Sequence, residues 1–173
     1  MHAKLFLSFL FLVGSLAGAA GAIAAEAPSP PSATSDPINV VRQVAKALTT
    51  GTEAIQDLRG PPMESSNLDR LKLPTPGMDC GIARTLMFVV CRSASLNRQE
   101  AEAMFARMMD YGQAALVSEG WRQVEDLSHA GLSRSISYNH LKSGARIDLD
   151  LVVYPTGEAE PLYAVRFFGW PRF

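Results

Sequence analysis

Only two cysteines and three histidines occur in 173 residues, and 16 basic side chains face 17 acidic ones. Each scarcity excludes a class of chemistry. His129 and His140 belong to no H-x-x-x-H pair and to no Cys/His cluster, so a zinc site lacks its ligands and no metal is expected. The phosphate loops G-x-x-x-x-G-K-[ST] and G-x-G-x-x-G are absent, and no nucleotide or other cofactor is expected. No serine sits in a G-x-S-x-G turn. A net charge of −1 leaves no basic surface to neutralise phosphates, which argues against nucleic acid as a partner and against a polybasic membrane-surface protein. Arg84, Arg92, Arg98 and Arg107 are interspersed with acids, as on a mixed solvated surface. Beyond about residue 25 no run is apolar enough to span a bilayer.

The one long apolar run stands at the N-terminus. Lys4 precedes Leu5-Phe6-Leu7-Ser8-Phe9-Leu10-Phe11-Leu12-Val13, and small residues lead to Ala22-Ile23-Ala24, the pattern of a secretory signal peptide over residues 1–24. An uncleaved anchor is the rival reading, weakened by the Gly/Ala-rich second half of the run. With the signal removed, 15 basic residues face 17 acidic ones. Export implies a periplasmic or secreted protein with no stable membrane insertion. Residues 25–36, rich in Pro, Ser and Ala, read as a linker, and residues 37–173 as a single domain of a size that supports a hydrophobic core.

In an oxidising compartment, two cysteines and no others are expected to pair, so Cys80 and Cys91 read as a disulfide. The competing reading, a catalytic thiol with His129 or His140 as base, has no local signature to support it.

Local signals then set the elements. Asp36 is placed to cap a helix with Pro37 at its first position. Val40, Val41, Val44 and Leu48 follow at helical spacing, Gly51 interrupts, and Gly60-Pro61-Pro62 closes a helical segment over residues 37–60. Leu68, Leu71 and Leu73 suggest a short extended piece, and Ile82 to Cys91 a buried strand. From Arg98 to Glu119 the pattern is helical. Asn97 and Glu100 stand in capping-box spacing, Ala101, Met104, Phe105, Met108, Ala115 and Leu116 mark one face, and Gly120 terminates it. Four strands follow: Trp121–Leu127, Leu132–Leu141, a cleanly alternating run through Ile147, Leu149, Leu151 and Val153, and Pro161–Trp170.

This order predicts an α+β fold, an antiparallel β-meander curled against one long helix and preceded by an N-terminal helix, with residues 68–173 as its core. The layout resembles that of cystatin-like folds in architecture only, because no cystatin motif is present; it carries no function.

Function is read from what remains. The aromatic end of the chain places Trp170, Arg172 and Phe173 past the expected last strand, as a docked tail or as partner-binding anchors. Met104, Met108 and Met109 read as core or as an adaptable binding surface. Asp148 and Asp150, two apart on a strand, present carboxylates about 7 Å apart on one face, either as solvated charges or, with His129 or His140, as the acid and base of an envelope hydrolase. The expectation is an exported, non-enzymatic binding module whose partner is another envelope or extracellular protein, in an inhibitor-like, immunity-like or accessory role. A small hydrolase and a carrier holding an apolar ligand between helix and sheet are the alternatives.

Overall fold

The computed structural model describes residues 36–64, 66–73, 75–124, 133–157 and 159–172. The expected signal peptide, the linker up to Ser35, His129 and Phe173 lie outside the described residues.

Helix α1 spans Pro37–Thr50, with the Asp36 carboxylate accepting from the Ile38 amide and proline at its first position. A capped start and one apolar stripe suffice for a helix that buries a single face. Val40, Val41, Val44, Ala45, Ala47 and Leu48 form the stripe and are buried. Gly51, at φ 128°, breaks the run, and the short α2 (Thr52–Asp57) follows. Helix α3 (Arg98–Leu116) carries the expected capping box in full, Asn97 accepting from the Glu100 amide and Glu100 from the Asn97 amide. It passes through a 3₁₀ turn, Val117–Glu119, to Gly120 in the left-handed conformation.

Strands β1 (Arg59–Pro62), β2 (Leu68–Leu71), β3 (Met78–Ala83) and β4 (Val89–Ser93) precede α3; β5 (Trp121–Val124), β6 (Ser133–His140), β7 (Arg146–Thr156) and β8 (Ala159–Trp170) follow it. All eight join one antiparallel sheet in the order β1-β2-β3-β4-β8-β7-β6-β5, left open because β1 and β5 are its edges. Helix α3 thus carries the chain from the middle of the sheet to its far edge. The last four strands then meander back until β8 meets β4, in the register Val89 to Gly169 through Arg92 to Arg166. Past the end of that ladder the Ser93 hydroxyl accepts from the Val165 amide, which accounts for a polar group buried in the core.

The α+β class, the N-terminal helix and the four-strand meander are as expected, but a cystatin-like layout on one long helix is not confirmed. Two helices, α1 and α3, pack against each other and against β8. The segment 82–91 is not one strand either. It is the end of β3, a reversal through Arg84–Met87, and the start of β4, with Met87 at φ 55°. Sequence reading merges them because the reversal contains neither glycine nor proline. It is held from a distance: the Arg59 guanidinium donates to the carbonyls of Ala83 (3.0 Å) and Arg84 (3.3 Å) and reaches Met87 Sδ at 2.9 Å. Arg59 also lies 3.4 Å from Asp69, whose other oxygen takes Arg84 Nε at 2.8 Å. Truncating Arg59 to alanine leaves two carbonyls without this donor and a largely buried carboxylate short of one partner. The expected loss is about 2 kcal/mol in urea unfolding; a change below about 0.5 kcal/mol would show that the turn holds itself.

The Gly60-Pro61-Pro62 stop also proves to be part of a strand. Proline donates no ladder hydrogen bond and is tolerated at a sheet edge, and β1 is that edge, with an irregular register between Arg59 and Pro62.

The helices cover one face. Ile136 and Tyr138 of β6, Ile147, Leu149 and Leu151 of β7, Val165 and Phe167 of β8, and Val89 and Cys91 of β4 point into it and are buried. Close approach depends on small residues: a Cβ on Gly169 would stand 2.7 Å from Leu48 Cδ1 of α1, and one on Gly112 of α3 3.0 Å from the Tyr138 hydroxyl. Burial holds the Tyr138 phenol above its usual pKa, with a smaller contribution from Asp110, and the hydroxyl donates to the Met109 carbonyl at 3.3 Å.

Candidate functional site

Alternation on the same strands sends the intervening residues to the opposite face of the sheet. Strand pairing aligns these residues in rows across the strands. One row runs Asp79, Arg92, Arg166, Asp150, Ser135. The next runs Gly81, Val90, Phe168, Asp148, Ser137, and beyond it Trp170, Arg146 and Asn139 align.

Aromatic side chains gather on this face. Phe88 lies 4.8 Å from Trp170 and 6.4 Å from Phe168, ring centre to ring centre, and Phe168 stacks on Trp170 at 6.0 Å. Trp170 remains 38% exposed. The structure therefore places Trp170 at the end of β8 itself, in a three-ring cluster, and not in a tail past the last strand. Arg172 does lie past the strand, with its stem against Gly144 in the turn between β6 and β7. The aromatic chain end offers Trp170 and Phe168 and the strand-like run offers Phe88, but nothing in the sequence joins them, because their adjacency depends on β4 pairing with β8.

Charged residues pair along and across the strands. Asp148 accepts from the Ser137 hydroxyl at 2.6 Å and from Arg146 Nε at 2.7 Å, and Asp150 from Arg166 at 3.2 Å. Both carboxylates, 15% and 18% exposed, are thus paired with arginines on the same face. His140 points to the other side of the sheet, its ring 5.2 Å from Trp121 and its Nδ1 2.9 Å from the Ser143 hydroxyl. The structure does not bring His140 together with the two aspartates. Among the described residues no group of three His, Cys, Asp or Glu is arranged to hold a metal ion, and no helix is long and apolar enough to cross a membrane.

Cys80 and Cys91 are bonded to each other across β3 and β4, where they stand directly opposite, and both are buried. Neither is available as a thiol.

The helical side carries a sizeable recess among the described residues. A cleft of about 610 Å³ opens between α1, α3 and the Thr75–Gly77 loop, lined by Pro37, Val41, Leu96, Met104, Met108 and Tyr111 among others. Of these Met104 is half-buried and Met108 buried. Between helices and sheet the packing is close: a void lined by Met108, Gly112, Tyr138 and their neighbours measures about 10 Å³, room for one water at most.

No protein family, no curated protein and no solved structure matches this chain. Its function has to be read from its own surfaces.

Proposed function

We propose that this protein is an exported binding module of the periplasm or extracellular space, and that it grips another protein with the open face of its sheet. The observation that carries the reading is the Phe88–Phe168–Trp170 cluster, half-exposed on a sheet face that, among the described residues, no helix covers. Aromatic side chains combine large contact area with low conformational entropy, and with arginine they dominate the energetics of protein interfaces. Arg166 supplies that arginine, its guanidinium 5.3 Å from the Phe168 ring centre. The disulfide supports an oxidising compartment, in keeping with the export signal read over residues 1–24. A second reading, carriage of a small apolar ligand, has the cleft between α1 and α3 as its seat, within the volume range of ligand pockets.

The test is crosslinking capture from an envelope extract of the source cells, with the full chain as bait and Trp170→Ala beside it. One dominant partner near equal stoichiometry is expected with the wild type. The variant should weaken its recovery at least tenfold, as loss of an interface anchor does, while retaining the wild-type circular dichroism. Equal recovery by both would remove the sheet face from the interface.

A further inference from the structure

Among the described residues, the row Asp79, Arg92, Arg166, Asp150 leaves one guanidinium without a paired carboxylate. Arg92 of β4 and Arg166 of β8 are directly opposite in the ladder. Like charges in that position repel and destabilise a strand pair. Asp150 relieves Arg166 in part, through one Nη at 3.2 Å. Arg166 Nε is buried and has no partner. Asp79 is opposite Arg92 in register, but its carboxylate turns to Arg70 of β2, 3.5 Å away. Arg92 is left without a carboxylate among the described residues and lies instead over the Tyr154 ring at 5.0 Å.

Both guanidinium groups are therefore laid on aromatic rings, an arrangement that orients the planar fork while leaving donors free. Beside Arg92 the face sinks into a hollow of about 680 Å³, lined by Met63, Leu68, Met78, Gly81 and Val90. Gly81 lets Met63 and Leu68 close down on the strand at the side of this hollow: a Cβ there would come within 2.9 Å of Met63 Sδ and 3.0 Å of Leu68 Cβ.

From this geometry we infer that Arg92 and Arg166 receive a carboxylate from an acidic segment of the partner protein, while an apolar side chain next to it fills the hollow. The inference rests on the protein-binding reading and specifies the partner's chemistry. Charge complementarity selects the occupant. Three arginines (Arg70, Arg92, Arg166) and two aspartates (Asp79, Asp150) leave one positive charge in the patch. That matches a monoanion. The flanking aspartates oppose the second charge of a phosphate, and a carboxylate can bridge two guanidinium groups with paired, charge-assisted hydrogen bonds.

The experiment is a titration of the ¹⁵N-labelled full chain, read at the arginine Nε–H signals in two-dimensional NMR. The probes are the blocked tripeptides acetyl-Leu-Glu-Leu-amide and acetyl-Leu-Gln-Leu-amide, and inorganic phosphate. The Glu peptide should shift the Arg92 and Arg166 signals, and the Gln peptide should bind at least tenfold more weakly, the loss expected for a charge-assisted contact. Arg92→Gln and Arg166→Gln should each weaken the Glu peptide about tenfold, whereas Asp150→Asn, which frees Arg166, should tighten it. Equal binding of the two peptides, tighter binding of phosphate, or shifts confined to other arginines would overturn the assignment. Capture from the envelope extract separates the two readings. If the peptides fail but the wild type still captures a partner that Trp170→Ala loses, the carboxylate site falls and the binding module stands.

Discussion

Replacing Cys80 and Cys91 together by alanine lowers the unfolding free energy by about 3 kcal/mol, the stabilisation that a loop of this length receives from closure. The two residues are 11 apart in sequence and are only 5% and 4% exposed, so the bridge is part of the core and not an external strap. Its position matters as much as its closure entropy. Strand β4 is the seam of the sheet, pairing with β3 from the first half of the chain and with β8 from the second. A bridge between β3 and β4 holds the first half to that seam. Urea unfolding of the oxidised protein, the dithiothreitol-treated protein and the double variant should place the last two close together and well below the first. A difference under about 1 kcal/mol would show that the core closes over the alanines. It would also remove the dependence on an oxidising compartment, one of the two supports for export.

Gly112→Leu should cost about 3 kcal/mol, at the upper end of what overpacking a core does. Glycine in the middle of a helix is itself unfavourable by up to about 1 kcal/mol relative to alanine, so a propensity argument alone predicts that filling this position stabilises α3. Packing decides the sign. Any Cβ at Gly112 would stand 3.0 to 3.1 Å from three atoms of the Tyr138 phenol. Tyr138 cannot retreat easily, being 2% exposed and tied by its hydroxyl to the Met109 carbonyl. A leucine there must push α3 off β6. Gly112→Ala is expected to fall between the two tendencies, destabilising by about 1 kcal/mol. Combining it with Tyr138→Leu should recover part of that cost, a coupling that a double-mutant cycle reads directly from denaturation midpoints. Additive effects in that cycle would mean that the close approach of α3 to β6 is not what requires glycine.

The open face shows why a functional surface was harder to read than the fold. Trp170 was visible as an unusual residue near the chain end, yet its partners Phe88 and Phe168 belong to strands that meet only because β8 returns to the centre of the sheet. Arg92 read as one more scattered surface charge. It becomes distinctive only when the register sets it against Arg166. Asp148 and Asp150 stand out by their spacing as solvated charges or as an acid and base. The structure pairs each carboxylate with an arginine on the same face and leaves the two only 15% and 18% exposed.

What the amino-acid sequence determined by itself is whatever depends on neighbours within a few residues. Asp36 before Pro37, and Asn97 three residues before Glu100, satisfy orphan amides at helix starts. Gly120 takes the left-handed conformation that ends the α3 segment. The period-two alternation from Ile147 to Leu151 marks a strand with one buried face. The cysteine pairing belongs with these, because two cysteines admit one intramolecular bridge. Tertiary structure alone decided the rest. The reversal at Arg84–Met87, which contains neither glycine nor proline, is closed by its own Met87-to-Ala83 backbone bond and receives a further donor from Arg59, distant in the chain. The proline-rich β1 counts as a strand only because it lies at an edge. The order of the eight strands follows from where α3 returns the chain, and with it the juxtaposition of Arg92 and Arg166. Capping, turn and alternation energies act over a few bonds, whereas strand neighbours are chosen by burial of a shared face, to which all parts of the chain contribute at once.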